Sequence, residues 1–174
     1  MSATRQIREK TVTVPLKTMD FNTGTWTYST NSGIPKYSKA AAAETTVVTI
    51  PLNVPKEDIQ YGFKLKSIKI PVRATTTDLT SAPTFTLYQT NKYKAVVGAG
   101  TNIDATSLTT SNDAVVTAAA TDRLWTVTVS TQAFENLTGA VNDYAYTLTA
   151  SIPCAAGTVL TVYEPTLVYE TAEG

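Results

Sequence analysis

Residues 144–152 carry the clearest pattern in the chain. Tyr144, Tyr146, Leu148, Ala150 and Ile152 share one parity, and Ala145, Thr147, Thr149 and Ser151 share the other. Side chains alternate sides along a strand, so this spacing predicts a strand with one apolar and one small polar face. No longer unbroken alternation occurs, and it reads as a central strand of a two-layer β fold. The same period recurs at Val12, Val14 and Leu16, at Trp26 and Tyr28, at Val48, Ile50, Leu52 and Val54, at Phe85 and Leu87, and at Trp125, Val127 and Val129. Further strands are predicted over 93–97, 114–117, 158–163 and 166–170, the last two split at Pro165.

One long strand, 63–73, changes phase: Phe63 and Leu65 are odd, while Ile68, Ile70 and Val72 are even. A one-residue slip swaps faces, so a bulge is predicted near Lys66 and Ser67. Four prolines follow β-branched residues late in strand patterns, at Val14-Pro15, Ile50-Pro51, Ile70-Pro71 and Ile152-Pro153. Proline cannot donate to a ladder, which places these residues on edges, bulges or strand ends; the same positions suit strands bordering a subunit contact. Asn31 to Pro35 is a turn cluster, and residues 36–43 read as a loop. Single helical turns are predicted at 55–59 and 131–137. The expected fold is an all-β, antiparallel β-sandwich, jelly-roll-like, of about eight or nine strands with long loops.

Composition sharpens this. About one residue in five is threonine, which suits a half-solvated pleated surface, and charged residues are only 16%. The 174 residues suit one domain over 11–174, preceded by a flexible basic arm over 1–10. Residues 1–40 hold Arg5, Arg8, Lys10, Lys17, Lys36 and Lys39 against Glu9 and Asp20, a balance of 6 − 2 = +4 in a chain of net charge zero. Arg5, Arg8 and Lys10 are candidates for docking on an acidic partner surface. No dense basic patch with interleaved aromatics occurs in the rest of the chain, so no nucleic-acid partner is expected. No apolar stretch approaches about 18 residues and no leader is visible, so neither a membrane span nor secretion is expected.

Chemistry is narrowed mainly by what is missing. With no histidine and the single Cys154, histidine-dependent nucleophilic catalysis, a Cys/His zinc site and an internal disulfide are all excluded. Cys154 reads as a buried structural thiol with no activator. Asp104, Asp113 and Asp122 border the polar segment 98–122, but no spacing selects a glycosidase pair. With Asn102 and Asn112 they could supply oxygen ligands for calcium, although no EF-hand pattern is present. No cofactor, metal or catalytic residue is therefore expected. Aromatics are the remaining functional groups. Trp26, Tyr28 and Tyr88 are candidate exposed contacts, because sugars stack on aromatic faces and Tyr and Trp anchor protein interfaces. Trp125 shares a face with Val127 and Val129 and belongs to the core.

The segments Thr-Val-Thr-Val-Pro at 11–15, Leu-Lys-Ser-Ile-Lys-Ile-Pro-Val at 65–72, Leu-Trp-Thr-Val-Thr-Val at 124–129 and Tyr-Thr-Leu-Thr-Ala at 146–150 give the chain its character. In these it resembles the small all-β virion structural proteins of tailed phages, the capsid decoration (cement) and head-fibre type. The resemblance implies a non-enzymatic protein of the virion. It would form symmetric homo-oligomers, trimers favoured, dock through its basic arm, and decorate or stabilise a capsid. The alternative is a carbohydrate- or receptor-binding β-sandwich module. A large flat apolar patch would favour assembly, and exposed aromatics lining one surface would favour ligand binding.

Overall fold

The structure, a computed structural model, describes residues 6–53, 63–75, 77–91, 108–110, 119–129 and 144–173. These form twelve strand segments and one 3-10 turn, in two antiparallel sheets facing one another. The larger sheet runs β1 (Gln6–Thr13), β12 (Thr166–Glu173), β6 (Phe63–Thr75), β11 (Val159–Tyr163), β4 (Ile34–Lys39), β3 (Trp26–Asn31). On the other side of β6 lie β9 (Ala119–Val129) and then β8 (Leu108–Thr110). The smaller sheet runs β2 (Asp20–Phe21), β5 (Glu44–Leu52), β10 (Tyr144–Cys154), β7 (Thr84–Asn91). The expected antiparallel β-sandwich is thus present. The strand segments outnumber the eight or nine expected, because short pieces such as β2 and β8 carry too few residues to show a period.

β10 is an interior strand, paired with β5 on one side and β7 on the other. Tyr146, Leu148, Ala150 and Ile152 are buried while Thr147, Thr149 and Ser151 are half-buried, as the alternation requires. The core fills the space between the inner faces, with Val48, Ile50, Leu148, Ile152 and Leu87 from the smaller sheet meeting Leu65, Ile68, Val72, Val127, Leu160 and Leu167 from the larger. Removing so much aliphatic surface from water is the main force holding the layers together.

The predicted bulge is where the phase change put it. Ser67 pairs with Val168 and Leu65 with Tyr169, so Lys66 is the extra residue, and both Leu65 and Ile68 reach the core. Lys66 instead meets Glu170 at 2.9 Å. The strand prolines lie where one side of the strand carries no ladder among the described residues. β6 meets β12 up to Lys69 and β11 from Val72, so Pro71 stands opposite the break between those two strands. Pro51 pairs with β10 only, since β2 ends opposite Val48 and Thr49. At Pro153 the β7 ladder has already ended opposite Ser151, and that side of β10 meets only the isolated Leu79–Cys154 bridge and Thr80, whose N–H donates to Pro153 O at 3.0 Å.

Two expectations change. The arm expected over 1–10 is a strand from Gln6 onward: β1 pairs with β12 from Gln6 opposite Glu173 to Thr13 opposite Thr166. Its polar residues do not show a two-residue period because β1 lies at the border of the sheet, where few positions are covered. Residues 36–39, read as loop, belong to β4, which forms a hairpin with β3. Ser32 (φ 50°) and Gly33 (φ 81°) are the two turn residues, both in the left-handed region, which is the turn whose twist matches a two-residue hairpin. The expected elements at 55–59, 93–97, 114–117 and 131–137 lie outside the described residues.

Candidate functional site

The hairpin turn sets the register of the two strands it joins. With Asn31 opposite Ile34, Tyr28 falls opposite Tyr37 and Trp26 opposite Lys39. On the other side of β4, Tyr37 is opposite Val162 and Lys39 opposite Leu160. Directly opposed residues point to the same side of a sheet. Trp26, Tyr28, Tyr37 and Lys39 therefore share the core-facing side with Leu160 and Val162. Phe21, opposite Val48, is on the core-facing side of the smaller sheet. Since β2 and β3 are the border strands of their sheets, these aromatics meet where the two inner faces run out toward solvent.

The rings form a continuous strip. Phe21 is 4.5 Å from Trp26 and 4.4 Å from Tyr37, centroid to centroid, and Tyr37 is 5.3 Å from Tyr28. All three contacts are tilted, an arrangement suited to the ring quadrupoles. Phe21, Trp26 and Tyr37 are half-buried, and Tyr28 at the end is 41% exposed. The Lys17 ammonium, at the 3-10 turn Leu16–Thr18, lies 5.7 Å over the Tyr28 ring.

The backbone beside Tyr28 is also aimed outward. Ala40 N–H donates to Thr25 O at 3.0 Å, so Thr25 and Ala40 face each other as a hydrogen-bonded pair. Bonded and non-bonded pairs alternate along an antiparallel ladder. Trp26, Tyr28 and Thr30 therefore turn their N–H and C=O groups away from β4, toward an edge that no strand covers among the described residues. Pro35, opposite Thr30, fits the same alternation, since it has no N–H to offer β3.

The strip has a rigid base. The Trp26 indole N–H donates to Thr23 O at 2.8 Å, and the Thr46 hydroxyl donates to the same oxygen at 2.7 Å. Gly24 (φ 90°) lets the chain pass over Lys39 and Glu44, where a Cβ would come within 2.5 Å of Glu44 Oε1. Lys39 is fully buried; its ammonium meets Glu44 Oε1 at 2.8 Å and donates to Ala40 O and Ala42 O at 3.1 and 3.4 Å. Cys154 is opposite Glu44 and buried, as expected. Burial pushes its thiol pKa up, the Lys39 ammonium pulls it back, and the Glu44 carboxylate adds to the rise. A raised folded-state pKa means that the stability held by the neutral thiol is fully present below the unfolded value. It is lost as pH climbs through the folded one. Cys154 should therefore resist a thiol reagent at pH 8 in the native protein and react promptly in urea; rapid native labelling would contradict its burial.

The other candidates are dispersed. Tyr88 is on β7, opposite Thr147, on the outer side of the smaller sheet, and is half-buried rather than exposed. The turn of the sandwich thus brings Trp26 and Tyr28 together and leaves Tyr88 apart. Trp125 is core and packs edge-on against Phe85 at 5.8 Å. Arg8 and Lys10 sit within β1; Arg5, Asn102, Asp104, Asn112 and Asp113 lie outside the described residues. Asp122 is exposed and lies 3.8 Å from Arg73. Among the described residues no three acids or thiols gather in a way that could hold a metal ion. Among the described residues the exposed large apolar ones besides Tyr28 are Ile7 on β1, Ile34 at the hairpin turn and Leu124 on β9.

No protein-family model matches the chain, and no curated protein matches it. Solved structures do. A family 29 carbohydrate-binding module complexed with cellulohexaose is similar at TM-score 0.44 and 8% identity over 92% of each chain. A family 11 carbohydrate-binding module from Clostridium thermocellum, in complex with a mixed-linked tetrasaccharide, gives 0.41 and 8% over 95% of this chain and 90% of that one. A low-affinity xylan-binding module from Roseburia intestinalis gives 0.38 and 12% over 92% and 94%. At such scores the likeness is to a two-sheet build and carries no argument about ligands. The virion role expected from the sequence is nevertheless corrected here. Five of the similar structures are carbohydrate-binding modules, which favours the alternative reading of a carbohydrate-binding β-sandwich. The arm meant to reach a shell is also a sheet strand from Gln6 onward.

Proposed function

We propose that this chain is a non-enzymatic carbohydrate-binding β-sandwich whose contact surface is the Tyr28 end of the aromatic strip and the outer edge of β3. The observation that carries this reading is an exposed tyrosine ring flanked by outward-turned backbone groups of its own strand. A sugar presents an apolar C–H face and a rim of hydroxyls. The ring suits the first, and N–H donors and C=O acceptors on a strand edge suit the second. Tyr37, itself packed on Phe21, supports Tyr28 from one side, so less side-chain freedom is lost on binding.

Affinity electrophoresis against a panel of soluble plant, algal and bacterial polysaccharides tests this. Tyr28→Ala should weaken binding at least about tenfold, with an unfolding free energy within about 1 kcal/mol of the parent. Tyr88→Ala should leave binding unchanged. A chain that retains no glycan, or one that Tyr28→Ala does not affect, would overturn the assignment.

A further inference from the structure

We infer that the sugar taken at this edge carries a carboxylate, as in a hexuronate unit, and that Lys17 recognises it; this rests on the carbohydrate-binding reading above. Lys17 is exposed, and its ammonium lies over the most exposed ring of the strip. No carboxylate stands within ion-pair distance of it among the described residues. Acids of the neighbouring elements are directed elsewhere or make no pair with it. Asp20 has the parity opposite to Phe21, which sends it to the outer side of the smaller sheet. Glu44 is engaged by Lys39. Glu164, at the break between β11 and β12, makes no ion pair with Lys17. The charge set against Tyr28 is therefore the Lys17 ammonium.

The position of Lys17 has a consequence for selectivity. A sugar stacking on the face of Tyr28 over which Lys17 lies has to displace the ammonium. An exposed cation–π contact is weak, and the four-carbon stem lets the charge swing aside. A neutral sugar gives nothing back for that displacement. A hexuronate does, because its carboxylate takes the displaced ammonium in a charge-assisted hydrogen bond. Lys17 thus acts for acidic sugars and against neutral ones, and specificity lies in the difference.

The test uses the full chain, with polygalacturonate and its fully methyl-esterified form as paired probes, and alginate beside xylohexaose and cellohexaose. Binding should favour the acidic member of each comparison and weaken with added salt. Lys17→Met, which keeps the stem and drops the charge, should weaken polygalacturonate binding about tenfold. It should leave the methyl ester unchanged or bound more tightly, and Lys17→Arg should restore the preference. Equal effects of Lys17→Met on both probes, or a parent chain that prefers neutral glycans, would overturn the inference while leaving the carbohydrate-binding reading in place. A chain that binds none of the probes, and none of the wider panel, overturns both.

Discussion

Leu148→Ala is expected to lower the unfolding free energy by about 3–5 kcal/mol, a larger effect than any truncation at the aromatic strip. Leu148 is fully buried on the interior strand β10, directly opposite Ile50 on β5 and Leu87 on β7. Both neighbours are fixed by their own ladders, so the space left by the lost carbons cannot close by a simple shift. The cost includes the cavity as well as the lost transfer energy. For a domain of this size each kcal/mol moves the midpoint by about 2–4 °C, so a fall of roughly 10 °C is expected. Thr149→Ala, one residue on and facing the other way, should cost less than about 1 kcal/mol. Urea titrations of both variants decide the matter. Comparable losses from the two would mean that β10 does not divide core from surface.

The second large effect concerns Lys39 and Glu44, and it is asymmetric. Glu44→Gln leaves the Lys39 ammonium fully buried with no countercharge, only neutral acceptors: the new amide oxygen and the carbonyls of Ala40 and Ala42. Such a stranded charge should cost about 3 kcal/mol or more. Lys39→Met removes the charge but keeps an apolar stem. The Glu44 side chain that remains is 28% exposed and can turn to water. Its loss should be about 1 kcal/mol, and the double variant should lie close to Lys39→Met alone. A double-mutant cycle followed by urea denaturation measures this. If Lys39→Met proved the worse of the two singles, the ion pair would not be what holds Gly24 and the base of the strip in place.

Much of the frame is legible in the sequence because strand period and burial coincide wherever a strand is covered on one face. β10 and the 124–129 half of β9 are read correctly for that reason, while residues 119–122 of β9 read as part of the polar segment 98–122; the bulge at Lys66 comes from arithmetic on the parity of Leu65 and Ile68. β1 escapes such a reading from Gln6 to Lys10 because it borders the sheet, where coverage imposes little pattern. The site is half legible. Trp26 and Tyr28 stand out as a pair, but their partners come from elsewhere: Phe21 from the other sheet, Tyr37 from a segment that looks like a loop, Lys17 from a 3-10 turn. One signal could have found Tyr37. Taking Ser32-Gly33 as a two-residue hairpin turn sets Tyr28 against Tyr37 and Trp26 against Lys39 directly. Nothing local marks Lys39 as buried; that depends on Leu160, far along the chain, occupying the neighbouring strand.

The pairing of β1 with β12 bears on how the molecule comes into being. Gln6 meets Glu173 and Thr13 meets Thr166, so during synthesis β1 waits for a partner strand that is made much later. The β4–β11 and β5–β10 ladders are also distant in sequence. Such a wiring closes large loops before it rewards them, which places folding in the millisecond-to-second range rather than the microsecond range of local topologies. Until then β1 carries an exposed row of backbone donors and acceptors. Its run of Arg8, Glu9 and Lys10 is the kind of charge that keeps waiting edges of nascent chains from joining one another.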